Sequence, residues 1–175
     1  LLTPKVVSFF ENHFNSEDPI YGICLILFPQ FSNLFPPDIN QFTDELNFVL
    51  LTTDDSVIKK RILKTLCAIN TKQSIECIFV SSLTDKDESI RIFALNLLTP
   101  QTLSEFGTQL FEYLHDFSFP IQKQAIKIIS QVYNQNPLEF QPYIALKIQT
   151  LLVSVIKGIE VELLADFASL LASCT

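Results

Sequence analysis

A chain of 175 residues, 48% of them hydrophobic and with a mean hydropathy of +0.31, has enough apolar surface for a sizeable core and is excluded from the disordered class. A formal net charge of −7 and a pI near 4.7 exclude a nucleic-acid backbone or an anionic lipid surface as the main partner, because both demand a basic field. Three scattered glycines, two solitary histidines (His13 and His115) and a longest apolar run, Ile20 to Phe28, of about half a membrane span leave no phosphate cradle, metal cluster, acid–base pair or spanning helix to be drawn.

Start signals and breakers divide the chain into ten helical segments. Thr3 before Pro4 is a cap followed by proline at the first helical position, and the stripe that follows is Val6, Phe9, Phe10 and Phe14. Asp18 before Pro19 repeats the device ahead of Ile20, Ile23, Cys24, Leu27 and Phe28, with Pro29 ending or kinking that helix. Pro36 and Pro37 open a third helix carrying Ile39, Phe42, Leu46, Val49 and Leu50, and Thr53 or Asp54 caps a fourth that ends near Asn70. Further helices are expected over 74–83, 87–98, 102–114, 119–133, 137–156 and 160–172. Strands compete poorly, since IRIFALNLL and IQKQAIKIISQV follow steps of three and four rather than strict alternation.

Three of these segments carry one cassette, an acid followed by apolar or small residues at four-residue steps: Ile58, Ile62, Leu66; Ile90, Ala94, Leu98; and Ile121, Ala125, Ile129. The anchors lie 32 and 31 positions apart, and self-similarity at such a period marks stacked repeats. Paired as hairpins, the second helices begin near 19, 55, 88, 120 and 160. Those steps fall at or below the period of about 40 to 47 residues of HEAT and armadillo units and near the roughly 34 of tetratricopeptide units, whose Trp and Gly pattern is missing here. The expected fold is therefore all-α, a HEAT/armadillo-type α-solenoid of about five hairpins. One solenoid segment over 1–175 is expected, with repeats near 3–35, 36–70, 74–98, 101–134 and 137–173.

The polar half of the cassette has work to do at the turns. In Asp85 to Ile90-Arg91 the acid can accept amide hydrogens at the start of the second helix or face a base of a neighbouring repeat. Asp54 with Ile58 and Lys59 reads as the same device one residue shorter, whereas Asp116 with Ile121 has Gln122 where a base is expected, so its rung should be weaker. Lys59, Lys60, Arg61 and Lys64 form the one basic cluster, a solvated face or a contact for an acidic partner. With an inner groove lined by second helices, the candidate protein-binding residues are Lys60, Arg61, Lys64, Asn96, Lys123 and Lys127. No catalytic, cofactor-binding or metal-binding residue is assigned.

Cys24, Cys67, Cys77 and Cys174 lie in apolar helical runs and read as buried free thiols, which fits a reducing, cytoplasmic compartment. A chain that begins with Leu1 and holds no Met reads as a piece of a longer protein.

From Thr84-Asp85-x-Asp87-x-x-Ile90-Arg91, through Leu110, Phe111, Leu114 and Asp116, to Asn136-Pro137 and Pro142-Tyr143 at the start of a long amphipathic segment, the chain resembles the HEAT-repeat region of target of rapamycin (TOR) kinases, in the phosphatidylinositol 3-kinase-related kinase family. The likeness covers about residues 75 to 155, with 1–74 matching as HEAT-like hairpins. It implies a non-catalytic scaffold segment of a serine/threonine protein kinase, bound by TOR-complex subunits or by itself. The catalytic domain, with its ATP and magnesium, would lie outside this chain. An importin-like transport factor or a phosphatase scaffold is the alternative parent.

Overall fold

In the computed structural model, which describes residues 3–15, 17–35 and 40–135 and the single positions 165, 168, 169 and 172, the first two helices are α1 (Thr3–His13) and α2 (Tyr21–Phe31). They are followed by α3 (Asn40–Thr52), α4 (Ser56–Ile69), α5 (Lys72–Thr84) and α6 (Glu88–Leu97). These six belong to one compact unit, Leu1–Leu98, and the rest of the chain to a second, Thr99–Thr175. All regular structure among the described residues is helical, as expected of an all-α chain.

In the first unit α1 packs on α2, α3 on α4, α4 on α5 and α5 on α6, and the second helices also touch in succession: α4 lies against both α2 and α6, while α3 lies against α5. The apolar stripes dictate this. Ile62, Leu63 and Leu66 of α4 are fully buried, as are Leu46 of α3, Ile78 of α5 and Ile90 and Ala94 of α6. Between α1, α2 and α3 the filling is aromatic: Phe28 has ring centroids 5.4 Å from both Phe10 and Phe14, 4.9 Å from Phe35 and 5.8 Å from Phe42. Edge-on and tilted rings place positive edges on negative faces, which adds to plain burial.

For α2 the expected ending at Pro29 and the expected buried face need correction. Pro29 stays inside the helix, which passes into a 3-10 turn at Ser32–Leu34, and its buried residues are Tyr21, Cys24, Leu25 and Phe28, while Ile23 is half exposed. YGICLILFPQF has so few polar residues that no stripe can be read from it. The α4–α5 junction is more legible. Asn70 adopts a left-handed φ of 53° and its N–H donates to the Leu66 carbonyl at 3.1 Å, closing α4. Thr71 and Ser74 then form a reciprocal capping box, Ser74 N–H to Thr71 Oγ1 at 3.2 Å and Thr71 N–H to Ser74 Oγ at 2.9 Å, opening α5 two residues before its expected start.

The second unit contains α7 (Pro100–Ser104), a 3-10 helix over Gly107–His115, and α8 (Phe119–Gln135), which packs on both. The single helix expected over 102–114 is thus two pieces. Thr99 caps the first with proline next to it, and Gly107, at a φ of +51°, separates it from the second. That left-handed φ costs an L side chain about 1–2 kcal/mol, so glycine is the natural break. Leu103, Leu110, Phe111 and Tyr113 meet Ile121, Ala125, Ile129 and Val132 in this unit's core. The segment expected as a helix over 137–156 lies outside the described residues.

Candidate functional site

One turn device recurs along the chain. The side chains of Asp18, Thr53, Asp85 and Asp116 each accept the backbone N–H two residues on, from Ile20 (2.9 Å), Asp55 (3.2 Å), Asp87 (2.9 Å) and Ser118 (2.8 Å). Asp55 then caps α4 by accepting from the N–H groups of Val57 (2.8 Å) and Ile58 (3.2 Å), and Asp87 caps α6 through Ser89 (2.8 Å). Of the two roles open to Asp54, the second is seen: Thr53 holds the register position of Asp85 and Asp55 is the cap, while Asp54 faces Lys86 of the next hairpin at 2.6 Å. Asp55→Ala is expected to cost about 1 kcal/mol of stability in urea unfolding, as for other lost caps, whereas Asp54→Ala leaves the midpoint nearly unchanged.

Six residues beyond each turn position of the last two cassettes stands a donor that reaches back. Arg91 Nη1 donates to the Asp85 carbonyl at 2.9 Å, and Gln122 Nε2 donates to the Asp116 carbonyl at 2.7 Å. A neutral amide makes the same contact as a guanidinium, because the acceptor is a backbone carbonyl and not the acid. The equivalent residue of α4, Lys59, reaches forward instead: its Nζ donates to Asp85 Oδ2 at 2.5 Å, with the two side chains 8% and 5% exposed. This buried pair links the α3–α4 hairpin to the α5–α6 hairpin.

Above that pair lies a cleft of about 230 Å³ between α3 and α5. The two helices run in the same direction, since Asp44 accepts from Gln73 Nε2 at 2.6 Å near one end and Asp54 accepts from Lys86 Nζ at 2.6 Å at the other. Leu50, Leu51, Cys77 and Val80 line its apolar part, and Ser81, Lys59 and Asp85 its polar part. The Lys86 ammonium hydrogen-bonded to Asp54 holds that carboxyl below its ordinary value and is itself raised. Burial pushes the Cys77 thiol up, and the Glu76 and Asp44 carboxylates push it further, so it stays a protonated, weakly nucleophilic thiol at neutral pH. Ser81 Oγ is buried without a hydrogen-bond partner. Ser81→Ala is expected to raise stability by about 1 kcal/mol, since it removes an unpaired buried hydroxyl and improves helix propensity; thermal unfolding checks it.

The expected binding residues are dispersed. Lys60 and Lys64 each place Nζ 5.9 Å from the centre of the Phe93 ring, so part of the basic cluster lies along an aromatic face, and Lys59 is withdrawn into the buried pair. Arg61 is half-buried; Asn96 on α6 and Lys123 and Lys127 on α8 are exposed. The α3–α5 cleft was missed because exposed Leu51 and Val80 carry no sequence signal. The turn register was recoverable, since Thr53, Asp85 and Asp116 all stand five residues before an anchor isoleucine.

Among the described residues no group of three or more His, Cys, Asp or Glu is placed to hold a metal ion, and no helix is long and apolar enough to cross a membrane. Cys24, Cys67 and Cys77 are free thiols, Cys24 buried and the others half-buried; Cys174 lies outside the described residues. No protein-family model matches the chain, and no curated protein matches it.

Proposed function

We propose that this chain is a non-catalytic HEAT-type α-solenoid segment that holds protein partners, and that its parent is a TOR-like serine/threonine protein kinase. The observation that carries the solenoid reading is the recurrence of one turn device at 18, 53, 85 and 116, with α2, α4 and α6 in contact one after another. A repeated turn at a nearly fixed period is what stacked hairpins require and what an irregular bundle has no use for. The kinase reading is supported by the resemblance through Thr84-Asp85-x-Asp87-x-x-Ile90-Arg91, whose acids and base form the turn contacts described above. Asn136-Pro137 and Pro142-Tyr143, which carry the remainder of that resemblance, lie outside the described residues.

On this reading the segment works in the cytoplasm by binding TOR-complex subunits or a second copy, and Lys60, Arg61, Lys64, Asn96, Lys123 and Lys127 are contact residues on second helices. Phosphotransfer belongs to a catalytic domain elsewhere in the parent. The test has two parts. The parent gene is expected to encode a lipid-kinase-like catalytic domain downstream, and affinity capture of the full-length protein is expected to recover TOR-complex subunits. Recovery of nuclear-pore or phosphatase subunits, with no kinase domain in the gene, identifies a transport or phosphatase scaffold instead.

A further inference from the structure

We propose that the cleft between α3 and α5 docks a basic peptide segment of a protein partner, which inserts one large apolar side chain between Leu51 and Val80. The cleft's size suits this occupant. At about 230 Å³ it exceeds the roughly 150 Å³ that accepts a benzene ring in a protein interior. Leu51 is 71% exposed and Val80 50%, and Phe48, one turn back on α3, is 61% exposed. Covering such side chains is favourable by about 25 cal/mol per Å² of apolar surface removed from water.

Charge selects the partner's sign. The charges of the lining itself cancel in two pairs, and the surplus comes from Asp44 and Glu76, exposed on α3 and α5 near Cys77, whose thiol is raised mainly by burial and further by these two carboxylates. The two bases of the lining are committed, Lys59 to Asp85 and Lys86 to Asp54. Lys72, one turn before Glu76, is the remaining base of α5, and α3 has none, so the rim stays acidic. That field repels a nucleic acid, an anionic membrane and a second copy of this acidic chain, and attracts Lys and Arg. The proposal rests on the geometry of the first unit and holds whatever the parent protein is.

A random peptide display library panned against the 175-residue chain tests it, with the selected peptides synthesised and titrated by fluorescence polarisation. The expected result is enrichment of peptides with one large aliphatic or aromatic residue flanked by Lys or Arg. Their affinity should fall at least tenfold for the Leu51→Asn/Val80→Asn variant and about threefold for Glu76→Gln. Both substituted apolar positions are half or more exposed, so the variant keeps the fold, which circular dichroism verifies. No enrichment, enrichment of neutral or acidic peptides, or undiminished binding by the double variant overturns the proposal. So does concentration-dependent dimerisation in sedimentation that the double variant abolishes, which makes a second copy the occupant. Failure to capture TOR-complex subunits, with the peptide result intact, overturns the kinase reading alone.

Discussion

Lys59→Met is expected to destabilise the fold by about 3–5 kcal/mol, because it strands the Asp85 carboxylate in a site from which water is largely excluded. Asp85 Oδ1 keeps the Asp87 N–H, but Oδ2 loses its one charged donor at 2.5 Å. Asp85→Asn strands the ammonium instead and should cost a similar amount, while retaining an oxygen for the Asp87 amide. The double variant removes both charges and should recover much of the loss, giving a coupling energy of several kcal/mol in the cycle. Urea unfolding of the four proteins measures it. A single-variant loss below about 1 kcal/mol would put this pair in the class of exposed ion pairs.

Phe28→Ala is expected to cost about 3–5 kcal/mol through lost burial and the cavity left behind. Phe28 is fully buried and its ring meets four others, Phe10 of α1, Phe14 just after it, Phe35 after α2 and Phe42 of α3, so no single neighbour can collapse into the gap. Phe28→Leu keeps much of the volume and should cost less, about 1–1.5 kcal/mol. Phe48→Ala, on the exposed face of α3, should stay within about 0.5 kcal/mol. A flat response across these three variants, read by guanidinium unfolding, would mean that the aromatic cluster does not hold α1 and α2 to the rest of the first unit.

Periodicity was legible wherever polar and apolar residues alternate at helical spacing. In α4, α6 and α8 the cassette residues Ile62, Leu66, Ile90, Ala94, Ile121, Ala125 and Ile129 are buried as the spacing predicts, as is Leu98 just after α6, whereas the first anchor, Ile58, stays partly exposed. It failed in α2, where apolar residues occupy nearly every position and only packing decides which face turns inward. It failed again at Gly107, where one left-handed residue divides a continuous apolar pattern. At the turns, matching Asp54 to Asp85 by residue type concealed the register that offset reveals, since a threonine hydroxyl and an aspartate carboxylate accept the same amide. The cleft was illegible for a different reason: it arises from two helices about thirty residues apart in the chain, and an exposed leucine looks the same in sequence whether or not a groove lies beside it.

The turn device has a kinetic consequence. Each bend at 18, 53, 85 and 116 is specified by hydrogen bonds between residues at most six apart, so it can form before any distant segment arrives. Helix pairs joined this way close short loops at little entropic cost, which gives low contact order and rapid refolding. Nascent chain emerging from a ribosome could therefore settle hairpin by hairpin, with each finished pair offering a template for the one behind it.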